Sequence, residues 1–140
     1  MGRGVRVLHL HLHGLFRSRD LELGRDADTG GQTLYVLDLV RSLAQRPEVE
    51  RVDVVTRLVQ DRRVAADYAR PVEMIAPGAR ILRFPFGPKR YLRKEQLWPY
   101  LDELADQLVR HLQVSENRPD WIHAHYADAG WVGAQIQQRL

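Results

Sequence analysis

The stretch that decides the fold of this chain begins at His11-Leu12-His13-Gly14 and ends at Thr29-Gly30-Gly31-Gln32. An apolar run, Val5 to Leu10, leads into this stretch, and an amphipathic segment, Leu34 to Ala44, follows it. Loops of this length inside compact domains are uncommon and usually functional. Adjacent glycines before a helix leave its N–H groups open to a ligand, and the helix dipole favours an anion there. The pattern therefore predicts a strand–loop–helix unit that binds a negatively charged group.

A second interpretation of the Gly30-Gly31 pair stays open at this stage. Neither of the two common phosphate-binding fingerprints, G-x-G-x-x-G and G-x-x-x-x-G-K-[ST], occurs in the chain. In this second interpretation the two glycines begin a helix after a mobile loop and bind no ligand. Spacing alone does not separate this interpretation from a phosphate cradle.

The hydrophobic pattern predicts an α/β protein. Strands are expected at Arg3–Leu12, Val52–Arg57, Ile81–Phe84 and Trp121–Tyr126, and helices at Gly31–Gln45, from Pro99 onward and after Ala127–Gly130. Residues 58–78 show no clear period and are expected to be a surface excursion. Such alternation predicts a Rossmann-like parallel sheet with helices on both faces. Only four strands are expected, against about six in a doubly wound sheet, so residues 1–140 are interpreted as an incomplete N-terminal domain.

Composition narrows the class of protein. The chain has 140 residues, of which 44% are hydrophobic and 28% charged, as expected for one soluble domain. The absence of cysteine excludes disulfides, thiolate chemistry and cysteine zinc sites. No apolar run long enough to span a membrane and no secretory signal is visible. We therefore expect a cytoplasmic protein with no membrane partner.

Positive charge is concentrated in one part of the sequence. Six basic residues and no acid lie between Arg80 and Lys94, whereas acids and bases are mixed elsewhere. The densest part, Lys89–Lys94, is called the basic run below. Such a run suits a small anionic ligand as well as a polynucleotide. Because no aromatic residues are interleaved in a nucleic-acid-binding manner, we expect no nucleic-acid partner.

Polar residues near the strand ends give further candidates. His9, His11 and His13 alternate and so share one face of an extended strand, but no further carboxylate and histidine set with metal-ligand spacing follows, and we expect no metal. Arg57, at a strand end, faces either the site or solvent. His123 and His125 share a face, and Asp128 is expected to cap the last helix.

Four segments resemble one enzyme family. They are Gly14-Leu15 with the run from Glu22 to Val36, Phe84-Pro85-Phe86-Gly87-Pro88, Lys94-Glu95-x-Leu97-Trp98-Pro99, and Ile122 to Gly130. Together they resemble the sucrose-phosphate synthases and the related sucrose synthases, retaining family 4 glycosyltransferases of the GT-B kind, over nearly the whole chain. Two departures are visible. His11 stands where the family usually has a small residue, and Arg90 stands where it often has lysine.

The resemblance implies a function and a set of site residues. In this family the N-terminal domain binds the acceptor, fructose 6-phosphate, and the C-terminal domain binds the nucleotide-glucose (UDP- or ADP-glucose). The residues that would bind substrate are His13, Gly14, Gly30, Gly31, Gln32, Arg90, Lys94 and Tyr126. The catalytic histidine and the cations that bind the diphosphate would lie beyond residue 140. The resemblance further implies no tightly bound cofactor, and a downstream sucrose-phosphatase as partner.

Two alternatives remain at this point. A sucrose synthase would use free fructose, and the basic run favours a phosphorylated acceptor instead. A non-catalytic module that binds a sugar phosphate or nucleic acid is the other alternative, and polynucleotide binding would weaken steeply with salt. We also expect residues 1–140 alone to be inactive, because glycosyl transfer requires a donor domain.

Overall fold

The structure is a computed structural model that describes residues 3–140. A five-stranded sheet forms the centre, with the spatial order β3-β4-β2-β1-β5. The strands are β1 (Val5–Leu10), β2 (Val49–Arg57), β3 (Val72–Ala76), β4 (Ala79–Phe84) and β5 (Trp121–Ala124). The helices are α1 (Gly31–Ala44), α2 (Lys94–Leu97), α3 (Leu101–Leu112) and α4 (Tyr126–Arg139). Short 3-10 helices cover Ala66–Ala69, Trp98–Tyr100 and Ser115–Asn117.

Four strands are parallel and the fifth is not. β1 lies between β2 and β5, with Val7 opposite Val52 on one side and His9 opposite His123 on the other. β4 continues the parallel order beside β2. β3 pairs antiparallel with β4 at the edge. The expected parallel sheet is therefore confirmed for its centre, and the expectation of four strands is corrected to five.

β3 lies within the segment that the sequence analysis treats as an irregular excursion. Val72 and Met74 are more than half exposed, because this edge strand has one face in solvent. Its two flanking prolines, Pro71 and Pro77, also resemble loop punctuation. An edge strand with exposed apolar residues lacks the buried alternation that sequence patterns detect, which explains why this strand is missed.

Helices cover both faces of the sheet, as the sequence predicts. On one face, α1 packs Val36, Leu37 and Val40 against strand residues such as Val54 and Ile81. On the other face, α3 and α4 pack against Leu8, Leu10, Val55 and Leu82, with Leu104, Leu108, Val132 and Ile136 fully or almost fully buried. The predicted apolar stripe of α3 is therefore core. Among residues 3–140, no helix is both long and apolar enough to cross a lipid bilayer.

Element ends differ from the prediction by a few residues at the functional edge. β1 ends at Leu10 rather than Leu12, and β5 ends at Ala124 rather than Tyr126. Tyr126 is instead the first residue of α4. The predicted cap is also wrong, because His125 occupies the N-cap position and Asp128 lies inside the first turn.

Candidate functional site

The carboxyl ends of β1, β2 and β5 meet at one edge of the sheet, where parallel α/β proteins bind ligands. The segment that leaves β1 there, residues 11–30, is called the β1–α1 loop. It folds back on itself, since Leu15 N donates to Thr29 Oγ1 (3.1 Å) and Gly24 N donates to Thr29 O (2.8 Å). The long polar segment is therefore ordered by its own contacts.

Gly14 is required by the close approach of the two ends of this loop. Its φ of +80° is one that side chains rarely adopt. A Cβ at this position would lie 2.2 Å from the carbonyl oxygen of Asp28. Gly14 therefore allows the start of the loop to pack directly against its end, next to Gly30.

Gly30 and Gly31 have no such structural requirement. A Cβ added to either residue would meet no atom within 4 Å, and neither has a φ in the left-handed region. The carbonyl of Gly30 accepts from Thr33 N (3.0 Å) and Thr33 Oγ1 (2.6 Å), which fixes the start of α1. The open space in front of both glycines is what a backbone cradle for a ligand requires.

His13 is held by a carboxylate from the other end of the chain. Its Nδ1 lies 2.8 Å from Asp128 Oδ2, and both side chains are almost fully buried. Asp128 Oδ1 accepts from Ala129 N (2.7 Å). The ring of Tyr126 lies edge-on against His13, with 4.6 Å between ring centroids. The structure thus brings His13, Gly14 and Tyr126 into one region. Asp128, which was expected to cap the last helix, also belongs to this region because it binds His13.

Gln32 is oriented by a chain of two histidines. Its Nε2 lies 3.2 Å from His125 Nδ1, and His125 Nε2 lies 3.0 Å from His9 Nδ1. An amide nitrogen only donates, so with this amide orientation His125 carries its proton on Nε2 and donates it to His9. Gln32 Oε1 then remains available as an acceptor beside Gly31.

Three of the histidines of this region, His9, His11 and His125, are neutral at physiological pH. Burial lowers the pKa of His9 and of His11 to about 3, and that of His125 to about 4, with neighbouring histidines adding to the effect. His11 is fully buried, and the structure gives its two ring nitrogens no hydrogen-bond partner. These residues are therefore poor sources of positive charge for an anionic ligand.

Arg57 resolves the alternative left open by the sequence. It is buried rather than solvated, and its guanidinium donates to the carbonyls of Phe86 (3.1 Å), Arg90 (2.6 Å) and Pro88. Arg57 therefore fixes the backbone that leads into the basic run.

The basic run is fastened to the β1–α1 loop. Lys94 N donates to Asp28 Oδ2 (2.7 Å), and Tyr91 Oη donates to Asp26 Oδ1 (3.0 Å). The side chains of Arg90 and Lys94 are exposed. Lys94 is thereby joined to the loop near Gly30. Arg90 is held through its carbonyl by Arg57, and the neighbouring Tyr91 is bound to Asp26 of the loop. Asp26 and Asp28 are not among the residues expected from the sequence, although two acids near the end of the loop, together with a basic run, are a signal for such contacts.

Comparisons with known proteins agree with this architecture. The family model of the sucrose synthase first GT-B domain matches residues 3–140. Sucrose-phosphate synthase 1 of Arabidopsis thaliana is 42% identical over 166 aligned residues, and a probable sucrose-phosphate synthase of Vicia faba is 40% identical. Each alignment covers 99% of this chain and 16% of the relative, so the chain spans about a sixth of the length of these proteins.

A solved structure gives the same result for the fold. A sucrose-phosphate synthase from Thermosynechococcus elongatus superimposes with a TM-score of 0.78 at 26% identity, covering 97% of this chain and 31% of that one. Because the family model covers all the residues that the structure describes, this chain belongs to the family of the sucrose synthase first GT-B domain.

Proposed function

We propose that this chain is the acceptor-side part of a retaining glycosyltransferase that transfers glucose from a nucleotide-glucose to fructose 6-phosphate, giving sucrose 6-phosphate. The observation that carries the proposal is the open space in front of Gly30 and Gly31, beside the fastened basic run. The named relatives, which are sucrose-phosphate synthases, support the same activity.

In the proposed acceptor site, both backbone groups and side chains bind the acceptor. N–H groups at the start of α1, with the positive end of the helix dipole, face polar or anionic groups of the acceptor. His13, Gln32 and Tyr126 supply hydrogen-bonding and stacking groups for the sugar. Arg90 and Lys94 supply the cations for the phosphate, and arginine keeps both the charge and the forked geometry where the family often has lysine.

The chemical step needs a second set of residues. Most of the rate of such transfers comes from holding donor and acceptor in line and from stabilising charge on the leaving diphosphate. We propose that the UDP- or ADP-glucose and its cations are held outside this chain, which spans a sixth of the plant relatives. Residues 1–140 alone then transfer no glucose. We also propose a cytoplasmic location and a phosphatase that consumes the sugar phosphate.

Free fructose is the second candidate acceptor, and the basic run is the observation that disfavours it. In the full-length enzyme, Arg90→Ala and Lys94→Ala should raise the KM for fructose 6-phosphate roughly ten- to a hundred-fold, since a charged hydrogen bond contributes about 1.5–3 kcal/mol. The KM for the nucleotide-glucose should stay unchanged. Steady-state kinetics with each substrate varied in turn measures both values.

Lys89→Ala serves as the matched control, because it removes an exposed cation from the same run at a position outside the proposed site. Its effect on the KM for fructose 6-phosphate should be small. Turnover of free fructose provides the second comparison. Equal responses of fructose and fructose 6-phosphate to Arg90→Ala and Lys94→Ala would contradict a phosphate-binding role for the run.

A further inference from the structure

Most of the histidines of this protein lie near the carboxyl ends of β1 and β5. The chain has six, and only His111 lies away from the carboxyl ends of β1 and β5. Three of them, His9, His123 and His125, are called the histidine cluster below. Their ring centroids are 4.2 to 5.3 Å apart. One nitrogen from each ring can be chosen so that all three lie within 4.8 Å of one another.

Sheet register creates this cluster. His9 on β1 lies directly opposite His123 on β5, and His125 follows two residues further along the same chain. Two residues along an extended strand bring a side chain back to the same face. Sequence spacing does not reveal the arrangement, because more than a hundred residues separate the two strands. The expected absence of a metal rests on the spacing of His9, His11 and His13, which does not reveal ligands from a second, distant strand.

We propose that the histidine cluster binds one divalent transition-metal ion of the zinc or cobalt class through three imidazole nitrogens. Three neutral histidines with an open fourth position form a known ligand set for zinc. Imidazole suits zinc, copper and nickel, whereas magnesium and calcium prefer oxygen ligands.

The distance between His9 and His125 fits two ligands of one ion. Metal–nitrogen bonds of about 2.0–2.1 Å place two tetrahedral ligands about 3.4 Å apart. His9 Nδ1 and His125 Nε2 face each other at 3.0 Å and now share one proton. Replacement of that proton by a metal ion requires the two rings to separate slightly and to tilt, so that both nitrogen lone pairs point at the ion.

His123 supplies the movable third ligand and the route of entry. Its side chain is exposed, whereas His9 and His125 are buried. Its ring lies against the other two, with centroids 5.0 Å from His9 and 4.2 Å from His125, so a change in its side-chain rotation brings a nitrogen toward the ion. Because this side of the cluster is exposed, water is available as the fourth ligand.

An outer hydrogen bond also favours metal binding. A histidine that binds a metal through Nε2 carries its proton on Nδ1 and donates it to an acceptor. The amide of Gln32 lies 3.2 Å from His125 Nδ1, and rotation of this amide presents its oxygen to that proton.

Titration of the metal-free full-length protein with Co²⁺ tests the proposal. One equivalent should give the visible absorption of four-coordinate cobalt, and added Zn²⁺ should displace it. His123→Ala should weaken Co²⁺ binding by at least about 100-fold, because loss of even an outer-sphere partner costs about 10- to 100-fold. Since His123 is exposed, this variant should fold, and circular dichroism checks that it does.

His111→Ala is the matched control, because it removes the one histidine that lies away from the carboxyl ends of β1 and β5. It should leave the absorption and the affinity unchanged. His9→Gln should weaken binding as His123→Ala does. Absence of the cobalt absorption in the unaltered protein would overturn the proposal and leave the cluster as three packed rings with one hydrogen bond, between His9 and His125. The same affinity in His123→Ala as in the unaltered protein would also overturn it, because the ion would then lie elsewhere.

Discussion

The two ends of the β1–α1 loop use glycine for opposite reasons. At the first end, the left-handed backbone of Gly14 and the nearby carbonyl of Asp28 leave no room for a side chain. Directly after the second end, Gly31, the first residue of α1, has an ordinary backbone and open space where a side chain would lie. The first glycine is needed for the chain to fold. The second is not needed for folding, so we expect its role to be contact with a ligand that binds beside the loop.

Gly14→Ala should produce the largest change in stability. The left-handed conformation costs roughly 1–2 kcal/mol for a residue with a Cβ, and forcing an atom into packed structure costs about 1–3 kcal/mol more. We expect a loss of about 2–5 kcal/mol in the free energy of unfolding, measured by urea denaturation.

Gly24→Ala separates these two costs. Gly24 has the same φ of +80°, but a Cβ there would meet nothing within 4 Å. It should lose only the roughly 1–2 kcal/mol of backbone strain. Equal losses in Gly14→Ala and Gly24→Ala would show that the contact with Asp28 adds nothing.

Gly31→Val should give the opposite result at the other end of the loop. Its free energy of unfolding should change by less than about 1 kcal/mol, in keeping with differences in helix propensity. Turnover of the full-length enzyme should fall at least about 100-fold, because small displacements of a bound substrate have effects of that size. Steady-state kinetics and urea denaturation of the same preparation measure both quantities.

Gly130→Val provides the reference for that variant. It also adds a side chain into open space on a helix, but on α4 and not at the start of α1. Its turnover should match that of the unaltered enzyme. Normal turnover in Gly31→Val would remove the reason for assigning the second glycine to a ligand.

Asp128→Asn tests how the first end of the loop is anchored across the sheet. The variant keeps the shape but removes the charge that faces His13 at 2.8 Å. A hydrogen bond to a charged group contributes about 1.5–3 kcal/mol, so unfolding free energy should fall by about that amount. Asp106→Asn removes an exposed ion pair with Arg139 and should cost less than about 1 kcal/mol. Similar losses in both variants would contradict a special role for the buried pair.

His11→Leu should have the smallest effect, and it should be stabilising. Both ring nitrogens of His11 are buried without a partner. An apolar side chain of similar size removes that cost, and we expect a gain of about 1 kcal/mol in unfolding free energy. His11→Asn, which keeps a buried polar group, should show no gain. A loss of stability in His11→Leu would mean that the ring nitrogens do have partners, such as bound water.

Local sequence patterns predicted the strands and helices whose formation depends on residues close together in the chain. The run into Leu10 and the stripe through Leu104 and Leu108 have periods that identify a buried strand and a core helix. β3 was missed because Val72 and Met74 are exposed on an edge strand. Its antiparallel direction follows from the short turn at Pro77-Gly78, which joins it to β4.

Side-chain contacts between residues far apart in the sequence could not be predicted from local patterns. Asp128 was expected to cap α4, a local role typical of its residue type. It instead binds His13, 115 positions away, because the register of β1 and β5 brings the loop and the helix start together. Arg57 was ambiguous for the same reason, since only tertiary structure brings three carbonyls to its guanidinium.

The way in which Arg57 holds Phe86, Pro88 and Arg90 has an evolutionary consequence. The atoms that it binds are main-chain carbonyl oxygens, which every amino acid possesses. The path of this segment is therefore set from β2 and does not depend on which side chains the segment carries. Selection can therefore exchange the charges at positions 90 and 94 without remaking the scaffold. If these two side chains bind the acceptor as proposed, divergence of acceptor choice within this family should concentrate at these positions while Arg57 stays constant.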